Sequence, residues 1–228
     1  MSRRALSALT VLILFAGCGG TAVGNGAEEE GTAQLWVTRD RGAQLLLIAE
    51  VEAGQSLLRA LAAEADVETR YGGRYVQSVN GIEGSLGEQR DWFWFVNGYE
   101  GDRSAASYRL RDGDVAWLDY RAWEREGETR VVVGAFPEPF LHGYDGKTRP
   151  VAIRYEPAVS GRAEELARWL GDVDLKVLPA PVASGANVLE VRTGPSRFAG
   201  ELLGETAGDP VRFVISGNPA YERRYSVP

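Results

Sequence analysis

The segment Asp91-Trp92-Phe93-Trp94-Phe95-Val96-Asn97-Gly98 constrains this chain more than any other. Alternate side chains of a strand face opposite sides, so Trp92, Trp94 and Val96 share one face while Phe93 and Phe95 share the other. Both faces are then aromatic, and groups of this size seldom stand in water together. A single helix covers one face of a single-layer sheet, so something else must cover the second. The coverings open to it are the rest of the chain, a partner protein, or a flat apolar ligand lying on the indoles with Tyr99 and Trp117 as neighbours. Trp92, Trp94, Asn97, Tyr99 and Trp117 are the candidate ligand-binding residues on this reading.

The flanking pattern supplies the sheet. Short apolar runs at residues 35–38 and 45–51, separated by Arg39-Asp40-Arg41-Gly42, read as a hairpin. Ser56 can cap a helix running to Ala65, because Leu57, Leu58, Leu61, Ala62 and Ala65 recur at helical spacing. Strands are expected at 75–79, 92–96 and 115–120, with turn chemistry at Asn80-Gly81, Asn97-Gly98 and Asp112-Gly113. Two strands, a crossing helix and a return to strands describe a β-grasp-like mixed sheet over residues 34–124.

The charged stretch 121–129 reads as a linker or as the turn of a long hairpin; the domain boundary is placed there, and a second small α+β unit is expected over 129–228. It starts with a strand at 130–135 and a proline-broken segment at 136–145, followed by a strand at 151–155. A helix follows, with Ser160 as N-cap, Glu164 and Glu165 in its first turn, and Gly171 as its stop. Strands near 175–178, 188–192 and 211–215 complete the unit. The fold class is therefore α+β, and the pattern leaves the topology of the second unit open.

The first thirty or so residues read as targeting signal and tether. Arg3 and Arg4 form a positive start, residues 5–16 an apolar run of signal-peptide length, and Ala16-Gly17 the small residues before Cys18. This is the layout of a lipoprotein signal: residues 1–17 as leader, Cys18 as the lipidation site, and 18–33 as a flexible tether ending in acidic Glu28-Glu29-Glu30. The expected location is extracytoplasmic, with the membrane as a partner through lipid on Cys18.

Composition and motifs narrow the chemistry. Net charge is −7 and no Lys/Arg run follows the leader, so nucleic acid is not an expected partner. Cys18 is the only cysteine, so the chain alone can form neither an intrachain disulfide nor a thiolate metal cluster. His142 is the only histidine, no G-x-S-x-G elbow or H-E-x-x-H is present, and glycine patterns that cradle phosphate are missing. No catalytic residue, metal site or cofactor is expected, and the chain reads as a binding protein rather than an enzyme.

Three motifs in order carry a family resemblance: Gly73-Arg74-Tyr75-Val76-Gln77-Ser78-Val79-Asn80-Gly81-Ile82, then residues 92–98, then Tyr108-Arg109-Leu110-Arg111-Asp112-Gly113-Asp114 followed by Trp117. Residues 35–124 resemble the transcobalamin C-terminal-like (DUF4430-type) domain of bacterial surface proteins and animal cobalamin carriers. The resemblance implies a β-grasp-like fold, extracytoplasmic display and, in the cobalamin carriers, contact with a corrin ring. It implies nothing about cobalt ligation by His142, which lies outside the matched motifs. Two functions follow as expectations. One is a lipid-anchored module capturing a small planar or hydrophobic ligand, such as a corrinoid, for a membrane uptake system. The other is a non-enzymatic surface-interaction or structural lipoprotein whose aromatic face docks the second domain or another envelope protein.

Overall fold

The computed structural model describes residues 31–123, 130–171 and 173–219. The chain is α+β, built on two mixed five-stranded sheets and a smaller three-stranded one. The expected leader, Cys18 and most of the expected tether lie outside the described residues, as do residues 124–129 of the expected boundary.

The first sheet takes β1 (Thr32–Arg39), β2 (Gln44–Glu52), β6 (Arg90–Val96), β7 (Tyr99–Glu100) and β8 (Val115–Ala122) in the order β2-β1-β8-β6-β7. β1 and β8 are parallel, and their neighbours antiparallel. Between β2 and β6 come α1 (Leu57–Glu64) and the small sheet of β3 (Val67–Arg70), β4 (Tyr75–Val79) and β5 (Ile82–Glu83). Ser56 caps α1 as expected, its Oγ accepting from the Arg59 N–H at 3.2 Å. The helix buries Leu57, Ala60 and Leu61, and each leucine stabilises the fold by about 2 kcal/mol through apolar burial. Asp119, fully buried, sets the β1–β2 turn. It accepts from the Thr38 hydroxyl at 2.6 Å and the Arg41 N–H at 2.9 Å. Asp40, Arg41 and Gly42 there have φ of 53°, 63° and 80°, backbone angles that need such a partner.

The expected strand at 130–135 is not formed. Val131 makes one bridge with Tyr99, and Val133–Ala135 then turns as a 3-10 helix ahead of the short α2 (Glu138–Leu141). Pro137 and Pro139 cannot donate to a ladder. The β-branched run Val131-Val132-Val133, which resembles a strand, serves as packing instead, with Val131 and Val132 both buried.

The second sheet takes β9 (Val151–Tyr155), β10 (Val173–Val177), β11 (Asn187–Arg192), β12 (Arg197–Leu202) and β13 (Val211–Ser216) in the order β10-β9-β11-β13-β12. The first four in that order are parallel, and β12 is antiparallel to β13. The α3 helix (Ser160–Leu170) joins β9 to β10 and buries Ala163, Leu166, Ala167 and Leu170 on one face. Ser160 is not its N-cap. A 3-10 turn at Pro157–Val159 feeds directly into the helix, so Ser160 already lies inside it and Glu164 and Glu165 lie beyond the first turn. Gly171, at φ 88°, ends the helix as expected. On the sheet face away from α3, Glu190 is buried between Arg154 and Arg192, the latter donating through Nε at 2.9 Å. A single apolar cluster joins residues of both sheets through Val131, Phe136, Phe140 and Tyr144.

Candidate binding surface

The five aromatic and amide residues singled out in the sequence fall in four different environments. Trp117 pairs with Phe95 across β8 and β6, which puts it on the face opposite Trp92 and Trp94. It is buried, 5.1 Å from Phe95 ring to ring, and its Nε1 donates to Thr38 Oγ1 at 2.7 Å. The Arg121 guanidinium lies 4.7 Å from the Phe95 ring centre and 5.0 Å from that of Phe93, and Val132 and Ala135 join the same cluster. The chain itself thus supplies cover for this face.

Trp92 is buried on the α1 side, where its Nε1 donates to the Ile82 carbonyl at 2.9 Å and its ring meets Tyr120 at 5.4 Å. These contacts tie the small sheet to the large one. Tyr99 is buried against Tyr144 at 5.8 Å, and burial pushes its hydroxyl pKa up to about 12. Asn97 takes the left-handed turn position at φ 49° and is completely buried. Its amide nitrogen donates to Asp114 Oδ1 at 2.7 Å and to the Gly143 carbonyl at 2.8 Å, while its oxygen accepts from the Val115 N–H at 2.8 Å. Both of its amide hydrogens and its oxygen are engaged inside the protein.

Trp94 differs from the other four. It is half-buried, with its ring 5.6 Å from Tyr108 and one edge against Gly101, where any Cβ would strike the indole. Trp94 and Trp92 line a cavity of about 40 Å³ with Arg74, Tyr75, Val76, Ala105 and Leu118. That volume holds a few waters or one small apolar group, and it does not admit a corrin ring.

The sequence reading did not assign a binding role to the residues at the rim of this cavity. The Tyr75 hydroxyl donates to the Asp91 carboxylate, and burial followed by that carboxylate raises its pKa well above the ordinary tyrosine value. Ser104 Oγ donates to the Arg74 carbonyl at 2.6 Å and so fixes the backbone there. Tyr71 stands edge-on to Tyr75 at 6.4 Å and is 79% exposed, with a left-handed backbone at φ 54°. An exposed aromatic held in that conformation is uncommon and marks the β3–β4 hairpin tip as a site to test. The signal for it was the run Tyr71-Gly72-Gly73-Arg74-Tyr75, two tyrosines around a glycine turn.

His142 sits on α2's end with Nδ1 2.6 Å from the carboxylate of buried Glu138, a loop-packing position. Among the described residues no group of three His, Cys, Asp or Glu side chains is placed to hold a metal ion. No described helix is long and apolar enough to cross a membrane.

Comparison with known proteins gives a family over part of the chain. No curated protein matches it. Among solved structures, one similar chain is a candidate metal-binding protein from Ruminococcus gnavus ATCC 29149, at 19% identity and a TM-score of 0.35, covering 42% of this chain and 100% of that one. Another is haptocorrin in complex with Cbi, at 16% identity and a TM-score of 0.36, covering 42% of this chain and 26% of the haptocorrin chain. The family match is to DUF4430, a domain of unknown function, and it starts just before α1 and ends with β8. The match spans residues 54–122, less than half of the chain.

Proposed function

We propose that this chain is a lipid-anchored, extracytoplasmic binding module without catalytic activity, which captures a small planar or hydrophobic ligand and presents it to a membrane uptake system. The observation that carries the reading is the position of Trp94. It alone among the five sequence candidates stays half-exposed, at a small cavity rimmed by Tyr75 and Arg74. A ligand would rest one apolar edge group in the cavity and lie flat across the indole and the tyrosines, a geometry aromatic rings favour. The motifs resembling those of cobalamin carriers make a corrinoid the first ligand to test.

The test is tryptophan fluorescence of the protein titrated with cobalamin, cobinamide and related planar metabolites. Saturable quenching is expected, lost in Trp94→Ala and kept in Trp123→Phe, a change at an indole just past the end of β8 that does not line the cavity. Gly101→Ala should weaken the response by displacing the indole. A flat response across the panel favours the second reading, docking of an envelope protein, for which the 79% exposed Tyr71 and 71% exposed Leu86 are the natural contacts. Anchoring has its own test. Cys18→Ala should move the protein from membranes to the soluble fraction, and retention at the membrane would remove lipid from the proposal.

A further inference from the structure

The second sheet ends in a strand whose sequence complements itself. Among the described residues β10 pairs with β9 alone, so its outer backbone groups form an open edge. The strand reads Val173-Asp174-Leu175-Lys176-Val177 with a regular register and no bulge. Val173, Leu175 and Val177 alternate onto one face, and Asp174 and Lys176 onto the other. Leu175 and Val177 are 39% and 45% exposed, apolar surface left bare because the sheet stops there. Asp174 and Lys176 form an ion pair within the strand at 3.0 Å, both still open to solvent.

We propose that β10 is a dimerisation edge, at which two copies of this chain pair antiparallel across a two-fold axis and join their second sheets into one continuous sheet. Directly opposed residues in an antiparallel pair share a face. An axis through Leu175 sets Leu175 against its own copy once, and Val173 against Val177 and Asp174 against Lys176 twice each. An isologous interface requires this kind of self-complementarity. Parallel pairing in register would oppose Asp174 to Asp174 and Lys176 to Lys176, which is repulsive. A lone lysine on an edge strand normally guards it against pairing, but here the lysine meets a matching acid in the second copy.

The experiment is sedimentation of the full chain carrying Cys18→Ser, in mild detergent, so that the single thiol cannot link copies. A concentration-dependent dimer is expected. Asp174→Lys and Lys176→Asp should each weaken it by about tenfold or more in Kd, since each leaves like charges opposed. The double swap Asp174→Lys with Lys176→Asp restores complementarity and should return Kd to near the parent value. Both side chains are solvent-facing, so thermal midpoints measured at concentrations where the protein is monomeric should change little in all three variants. A parent that sediments as a monomer throughout, single variants that dimerise as the parent does, or a double swap no better than the singles would each overturn the proposal.

Discussion

In the first sheet Asn97 accepts from the N–H of Val115, which opens β8, and donates to the Gly143 carbonyl at 2.8 Å. In the second sheet Asn187 accepts from the N–H of Val211, which opens β13, and donates to the Pro139 carbonyl at 2.8 Å. Two buried asparagines thus pin the same short segment from opposite sides. Their surroundings differ. On the first-sheet side that segment meets a polar network, with Tyr144 donating to Asp102 at 2.7 Å, Tyr108 near Asp114, and Arg103 and Arg111 facing Asp145. On the second-sheet side it meets rings, Phe136 lying 5.3–6.3 Å from Trp169, Phe140, Phe198 and Phe213. To the first sheet the connection is held mainly by hydrogen bonds, with Tyr144 also packed on Tyr99 and Tyr108, and to the second mainly by aromatic packing, with the Asn187 bond to Pro139 beside it. The two attachments should respond differently to truncation and to pH.

Phe136→Ala should produce the largest loss, about 4 kcal/mol, because a fully buried ring with four ring neighbours leaves a cavity that a β-sheet cannot collapse. Asn97→Ala should cost about 3 kcal/mol, since it strips partners from Asp114, Gly143 and Val115 and leaves alanine in a left-handed backbone. Asn187→Ala, in an extended strand whose asparagine bonds Pro139, Val211 and Tyr99, should cost about 2 kcal/mol. Urea unfolding followed by circular dichroism measures all three. If the order of Phe136 and Asn97 were reversed, the polar side would be the stronger attachment.

The same contrast explains what the sequence disclosed. β1, β2, α1, β4, β6, β8, β9, β11 and β13 were legible because each carries a plain period of two or 3.6 between turn residues. Asn97 was visible through its Asn-Gly turn, although its role is internal. Asn187 was not, because it sits inside a strand with no turn signature, and only the contact with Pro139 gives it meaning. β12 was missed because Gly200 interrupts its pattern. The glycine is there because a Cβ would come within 2.7 Å of the Phe213 ring. The candidate site was legible in part. Spacing alone put Trp92 and Trp94 on one face, but the β6–β8 register decides which face Trp117 takes, and no local pattern encodes it. Which indole stays half-exposed depends on where β4 and Ala105 pack, a tertiary matter that leaves no trace in period or composition.

The smallest expected effect, and the one that separates the two attachments most cleanly, is the response to pH. Burial raises the Asp114 carboxyl pKa above its ordinary value, with the Arg111 N–H, Asn97 and Tyr108 pulling it partly back. A carboxyl with a raised pKa in the folded state favours folding while it is protonated. That contribution is complete below the ordinary aspartate pKa and is lost as pH rises through the higher, folded value. Other acids add their own slopes, so the informative quantity is a difference: parent stability minus that of Asp114→Asn, measured by urea unfolding from acid to neutral pH. It should fall with rising pH across that window and then level off, because asparagine keeps the volume but cannot titrate. Asn187 bonds the Val211 N–H and the Pro139 carbonyl, and its titratable partner Tyr99 has its pKa pushed up to about 12, so from acid to neutral pH Asn187→Ala should shift the parent's curve by a constant. A slope in the Asn187 difference matching that for Asp114 would mean the two attachments are coupled rather than independent.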